Sequence, residues 1–204
     1  RQVGYEPATS DPADIDETPR AGELPRAYAL RMAEAKLAVV TERHAGALVL
    51  AADSVVVCGR RILPKTEQEA EARDCLAKLS GRRHRVLGGI AVAGPDGRVR
   101  TRLVETIVHF KRLEAAAIEA YLASGEWQGK AGGYAIQGRA EAFVRYLAGS
   151  YSAVMGLPLY EALMAQFRDR RGRSFGQEST PKEQKTRDRF RELRKITDDF
   201  DDEL

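Results

Sequence analysis

Two cysteines, Cys58 and Cys75, are all that 204 residues hold. That excludes a disulfide framework, and a reducing, cytosolic setting is the simplest reading. Histidine is scarce as well: His84 and His109 have no second ligand at metal spacing, which argues against a histidine-built metal site. No apolar run approaches the roughly 20 residues of a membrane-spanning helix, and no signal peptide is visible. Charge of one sign is also missing. The 33 basic and 30 acidic residues leave a net +3, a small difference between large numbers that does not argue for nucleic acid. There is no internal repeat, no Gly-x-x-x-x-Gly-Lys-Ser/Thr phosphate loop and no dinucleotide fingerprint after a strand. What is present is a core: 43% of residues are hydrophobic, enough for one domain with an appendage or one large domain.

The organising stretch runs from Leu48 to Val57, an almost unbroken aliphatic and β-branched segment that reads as a strand buried on both faces. Asp53 sits in its middle, followed by Ser54. An unpaired buried carboxylate is costly, so Asp53 needs a partner, a metal or the open end of a sheet. It either caps a neighbouring turn or does chemistry, and the strand alone leaves both open.

Before it, residues 1–23 are rich in Pro, Asp and Glu without a helical or strand period. The acidic run Asp14 to Glu17, closed by Thr18 and Pro19, reads in isolation as a solvated loop. A helix is expected from Pro25 to Arg43, with Tyr28, Met32, Ala35 and Val39 on one face and Lys36 beside it. After the strand comes a turn at Gly59 to Arg61. A helix follows, with Thr66 and Glu69 in capping-box spacing and Ala72, Cys75, Leu76 and Leu79 as its apolar stripe. Cys75 is therefore a core thiol. Residues 83–94 and 98–110 read as strands joined at Pro95-Asp96-Gly97. A short helix over 114–123 turns Ala117, Ile118, Tyr121 and Leu122 inward.

Five glycines fall in the fourteen residues Gly125 to Gly138. They permit positive φ and close approach of backbone to a ligand. Lys130 supplies charge there, and Gln137 offers a donor and an acceptor. A strand over 142–147, a loop over 149–158 and a helix from Pro158 to Phe167 complete the domain. Residues 168–204 are dense in charge of both signs and poor in large apolar residues. A mobile tail is expected, with a helix over 182–196 offering only a thin apolar edge.

The blocks DIDETP, GELPRAYALRMAEAK, LAADSVVV, ILPK, LSGRRH, GEWQGKAGGYAIQG and GSYSAVMGLPLYE, in this order over residues 12 to about 167, resemble the Maf family of nucleoside triphosphate pyrophosphatases. The resemblance implies an α/β fold, with a twisted mixed sheet flanked by helices and two lobes around a nucleotide cleft. It implies hydrolysis of the α–β phosphoanhydride of a nucleoside triphosphate to the monophosphate and pyrophosphate, with a divalent cation, Mg²⁺ or Mn²⁺. Carried over residue by residue, Asp53 matches the general base and a metal ligand, and Glu17 the acid near the metal and phosphates. Lys36 and Lys65 match the lysines that hold the triphosphate, and Ser54 and Gln137 the positions that help choose the base. The block from Gly129 to Gly138 resembles the branch acting on dTTP and UTP, as against the branch acting on 7-methylated GTP. The expected setting is cytoplasmic, with a homodimer left open and neither membrane nor nucleic acid as partner.

The chemistry fits those residue types. Two lysines and a cation suit the negative charge on phosphate oxygens. Mg²⁺ needs only one or two carboxylates when phosphate and water fill its other positions.

Three departures stand out. Members open with a strand and a Ser-x-Ser-Pro-Arg-Arg loop whose arginines grip phosphate. Here the sequence starts at Arg1, and residues 1–7 resemble the region just after the first helix, so the expectation is an N-terminally incomplete domain over 1–167. The usual Gly-Lys-Pro reads Pro64-Lys65-Thr66. The usual Thr after the catalytic Asp is Ser54, and a common Asn is Ala153. The rival expectation is a nucleotide-binding or cell-division regulatory protein without turnover.

Overall fold

Alternation along one long strand builds both sides of this protein. The computed structural model describes residues 7–167; residues 1–6 lie outside the described residues, as does the charged segment 168–204 with its expected helix. Strand β1 (Val49–Cys58) sends Val55 and Val57 to one face and Val56 to the other. Helix α1 (Pro25–Arg43) covers the first face, where Tyr28, Ala29 and Met32 pack on Val55, Val57 and Leu87. Helices α2 (Glu69–Leu79) and α3 (Ala115–Leu122) and a group of aromatic rings cover the second, around Val56, Val86, Val108 and Phe110. Residues 11–166 form one compact unit.

The sheet runs β2 (Arg61–Leu63), β1, β4 (Arg83–Ala93), β5 (Val99–Phe110), β7 (Val144–Ala148). The expected α/β class holds, with helices on both faces of a sheet. Where a mixed sheet was expected, every ladder among the described residues is antiparallel. β4 and β5 are one long hairpin turning at Pro95-Asp96-Gly97, as the turn chemistry predicts. A separate two-stranded ladder joins β3 (Lys65–Thr66) to β6 (Lys130–Ala131).

Burial on both faces of β1 holds from Val55 to Val57 but not along its first half. Leu50, Ala51 and Ala52 are half-buried, and Leu48 lies outside the strand, exposed. The reason is the ladder. β2 pairs only with Val56, Val57 and Cys58. Among the described residues, the backbone from Val49 to Val55 is therefore paired on one side alone, to β4. The edge this leaves beside Asp53 and Ser54 is where the cleft opens.

Four local expectations change. On α1 the buried residues are Tyr28, Ala29, Met32, Ala33 and Leu37, while Ala35 and Val39 are only half-buried. The small side chains Ala29 and Ala33 take the sheet-facing line because α1 lies tight against β4. The capping box of α2 is Gln68 with Glu71, not Thr66 with Glu69. Thr66 is fully buried in β3, where its hydroxyl donates to the carbonyls of Trp127 and Lys130. Residues 139–143 form a 3-10 turn before β7, so that strand begins later than expected. A short helix α4 (Tyr151–Val154), capped by Ser150, stands where a loop was expected, ahead of α5 (Leu159–Phe167). The stripe of α2 is as expected, and burial pushes the Cys75 thiol pKa up, as for a core thiol.

His84 is the one buried histidine. Its Nε2 lies 2.8 Å from the Tyr134 hydroxyl, and both rings stand edge-on to Phe110. Burial pushes its pKa down to about 4 from an ordinary 6.5. An unfolded chain takes up this proton near pH 6.5 and the folded one only near 4. The stabilisation is thus complete above 6.5 and is lost as pH falls towards 4, a loss of about 3 kcal/mol from this group. Urea unfolding at pH 7, 5.5 and 4.5 should show that decline, with a flatter profile for His84→Gln. Parallel profiles would remove His84 as its cause.

Candidate active site

Asp53 faces α1 from the stretch of β1 that, among the described residues, pairs only with β4, directly opposite Gly89. Gly89 is what lets the helix sit there. A Cβ at this position would lie 2.2 Å from the Ala29 carbonyl oxygen and 2.7 Å from its carbon. With α1 that close, Lys36 reaches Asp53: Nζ is 2.5 Å from Oδ1. The same ammonium is 2.6 Å from Glu17 Oε1, and the other Glu17 oxygen, Oε2, accepts from Lys65. Four charged side chains from four parts of the chain thus close into one network of two carboxylates and two ammonium groups. Asp53 is only 6% exposed, and its burial is met by the partner the sequence demanded.

The acidic run carrying Glu17 is not a free loop. Ile15 packs against the α1 cluster, and Asp14 takes a left-handed φ of 38°. The Tyr28 hydroxyl donates to the Glu17 carbonyl at 2.6 Å, and Arg31 bonds Glu23 at 2.6 Å and the Thr18 carbonyl at 3.2 Å. The backbone anchors come through α1, and Lys65 on β3 holds the second carboxylate oxygen of Glu17, so one helix places Lys36 and the backbone of Glu17.

Burial and charge compete throughout the network. Partial burial works to raise the Glu17 pKa, but hydrogen bonds from Lys36 and Lys65 outweigh it and hold the carboxyl below its usual range. Burial likewise opposes charge on Lys36, and the carboxylates of Asp53 and Glu17 overcome it and lift the ammonium above its usual value. Burial, and then the negative charge of Asp53 and Glu17, push the Tyr28 phenol up, which keeps it a donor.

The cleft has two adjoining hollows of about 250 and 290 Å³. Asp53, Ser54, Lys65 and Ala131 line both. Glu17, Tyr28 and Ile62 complete one, and Lys130, Tyr134, Gln137 and Met155 the other. Successive strand residues point to opposite faces, so Ser54 turns away from α1. Its hydroxyl donates weakly to the carbonyls of Ala153 and Gly156, each at 3.4 Å.

The glycine-rich segment forms the opposite wall. Gly132, at φ 68°, lies so close to β1 that a Cβ would stand 2.9 Å from Val56 Cγ1. Its N–H donates to the Pro64 carbonyl and that of Gly129 to the Thr66 carbonyl, both at 2.9 Å. Gln137 is exposed at the rim.

The expected residues therefore fall into two groups. Glu17, Lys36, Asp53 and Lys65 meet in one network, and Ser54 and Gln137 line the neighbouring hollow. Ala153 is fully buried among Ile90, Val104 and Ala162, so it shapes the core under the cleft. Three supporting residues were missed: Tyr28 as anchor of Glu17, Thr66 as the tie between the Lys65 strand and the glycine-rich wall, and Gly89. In the sequence Tyr28 reads only as apolar stripe, and Thr66 only as a cap. The Gly88-Gly89 pair inside an apolar strand was the available signal for close backbone approach.

The donor set suits a hard divalent cation. Glu17 and Asp53 each aim a carboxylate oxygen at one point, which the Lys36 ammonium marks as a place for positive charge. Among the described residues no group of three His, Cys, Asp or Glu side chains gathers as a metal cage. The remaining ligands would have to be water or substrate oxygens, as Mg²⁺ and Mn²⁺ accept. No helix among the described residues is long and apolar enough to cross a membrane.

The chain matches the family model described as "Maf-like protein" over residues 1–166. It is 62% identical over 161 residues to the dTTP/UTP pyrophosphatase of Paramagnetospirillum magneticum, covering 79% of this chain and 85% of that protein. It is 60% identical over 174 residues to the dTTP/UTP pyrophosphatase of Rhodospirillum rubrum, covering 84% and 83%. It is 59% identical over 162 residues to the protein of the same name from Caulobacter vibrioides, covering 79% and 84%.

Proposed function

The chain belongs to the Maf-like protein family, and on that premise we propose that it is a nucleoside triphosphate pyrophosphatase acting on dTTP and UTP. The products are the nucleoside monophosphate and pyrophosphate. The observation that carries this reading is the closed network of Glu17, Lys36, Asp53 and Lys65 at the wall of a cleft. It offers a base and two phosphate-binding cations, with oxygen donors for a divalent ion. Relatives of about 60% identity that bear this enzymatic name weigh against the rival reading of a protein without turnover.

Asp53 acts as general base. Lys36 takes its Oδ1, so the pair parts when phosphate oxygens draw the lysine away. Asp53 then accepts a proton from water. The water oxygen bonds to the α-phosphorus, and the bridging oxygen leaves with pyrophosphate. A base fixed on a paired strand keeps its distance to that water better than one on a loop. Lys36 and Lys65 bind the triphosphate oxygens, where charge gathers as the bond breaks. Glu17 and Asp53 would hold Mg²⁺ or Mn²⁺, which when bound neutralises further phosphate charge. Ser54 and Gln137 face the base, and the Gln137 amide has both a donor and an acceptor for a pyrimidine edge.

Pyrophosphate release from dTTP, UTP, CTP and 7-methyl-GTP, with Mg²⁺ or Mn²⁺, tests the reading. dTTP and UTP should be the fastest. Silence with all four from folded protein would return the case to a nucleotide binder without turnover.

A further inference from the structure

Lys36 occupies the point at which both carboxylates aim. Its Nζ stands 2.5 Å from Asp53 and 2.6 Å from Glu17, while Lys65 takes the second Glu17 oxygen. A divalent ion arriving alone would meet two carboxylates already matched by two ammonium groups, and among the described residues no third acid or histidine joins them. To bind, it would have to expel Lys36 from a site where that side chain is 19% exposed, and leave it next to a doubly charged ion. Like charges at that range repel strongly where solvent is limited.

The carboxylates are the fixed members. Asp53 sits on a strand, and the Glu17 backbone is held by Tyr28. Lys36 is the movable one, a charge on a flexible four-carbon stem. A polyphosphate changes the balance because its oxygens give both lysines new partners and offer the metal its missing ligands. We propose that Lys36 is a built-in counter-ion that excludes a free divalent cation from Glu17 and Asp53, so that Mg²⁺ or Mn²⁺ enters only with the polyphosphate of the substrate. The inference rests on the triphosphate reading above. It goes further in assigning Lys36 a second task and the cation an order of binding.

The test reads metal binding directly. Mn²⁺ is titrated into the whole protein, and the free ion is followed by electron paramagnetic resonance, with and without an α,β-methylene nucleoside triphosphate that resists hydrolysis; a titration of the analogue without protein is subtracted, because its phosphates chelate Mn²⁺ by themselves. The unaltered protein alone should bind Mn²⁺ weakly, and the analogue should tighten that binding at least about tenfold, the size of an ordinary coupling between two ligands. Lys36→Met, with Lys36→Gln as a second neutral variant, should bind Mn²⁺ at least about tenfold more tightly than the unaltered protein when no nucleotide is added. Lys36→Arg, which keeps the charge, should stay weak. Mn²⁺ should raise the melting temperature of the two neutral variants and leave that of the unaltered protein in place.

Neutral variants that bind Mn²⁺ no better than the unaltered protein would overturn the proposal. So would Mn²⁺ binding by the unaltered protein that the analogue does not change. Turnover by the unaltered protein is a separate reading: absence of pyrophosphate release defeats the enzymatic assignment, whereas the gain of Mn²⁺ affinity on removing Lys36 is measured without it.

Discussion

Asp53→Asn should lower pyrophosphate release by about 10³-fold or more, within the span that a positioned general base contributes. The fold should survive. Asn keeps the size of the side chain and an oxygen for Lys36, and Lys36 keeps Glu17 as its charged partner. Loss of one of two charged contacts in this half-solvated network should cost about 1–2 kcal/mol, well short of unfolding. Steady-state release from dTTP, with thermal melting on the same preparation, separates the two effects. A variant that melts nearly as the parent and releases no pyrophosphate fits Asp53 as base. Full turnover in Asp53→Asn would remove it from that role and leave water activation to another group.

Gly89→Ala should be the most damaging single-methyl change in the described structure. The added carbon would stand 2.2 Å from a backbone oxygen of α1, and backbone, unlike a side-chain tip, has no alternative rotamer. The helix must lift from the sheet, or β4 must bend. Overpacking of this kind costs about 3 kcal/mol or more, a fall of roughly 6–12 °C in melting temperature for a domain of this size. Activity should fall further than stability, because α1 carries Lys36 and, through Tyr28, anchors Glu17. Gly88→Ala is the matched control. There the new carbon meets Pro158 Cγ at 3.6 Å, an ordinary contact. Equal melting temperatures for the two variants would show that the close approach of α1 has no energetic consequence.

Both expectations turn on positions of very different visibility. Asp53 announced itself, since one carboxylate in an otherwise almost wholly aliphatic run demands an explanation. Gly89 did not, because glycine in a strand is compatible with a bulge, a bend or a close neighbour, and only the position of Ala29 selects among them. Thr66 shows the same limit from the other side. Its spacing to Glu69 satisfied a local capping rule, yet Gln68 and Glu71 cap the helix while Thr66 bonds carbonyls some sixty residues away in sequence. The apolar run that reads as a strand buried on both faces is so from Val55 to Val57 but not at Leu48 and Leu50 to Ala52, because local pattern carries no information on where a neighbouring strand stops.

The sequence by itself determined the α/β class, the start of α1 at Pro25, the stripe of α2, the β4–β5 hairpin and the resemblance that singled out Glu17, Lys36, Asp53 and Lys65. The elements follow from periodicity and turn chemistry, which are local properties of the chain, and the class and the four residues from the family resemblance that the motif order carries. Tertiary structure alone decided that the four residues form a single neutral network, that Lys36 stands where a cation would, and that the cleft opens beside the stretch of β1 which, among the described residues, pairs on one side only. Those facts depend on distances between segments remote in sequence. Such distances are set by packing, here by a missing side chain at Gly89 and the small residues of α1 that close over it.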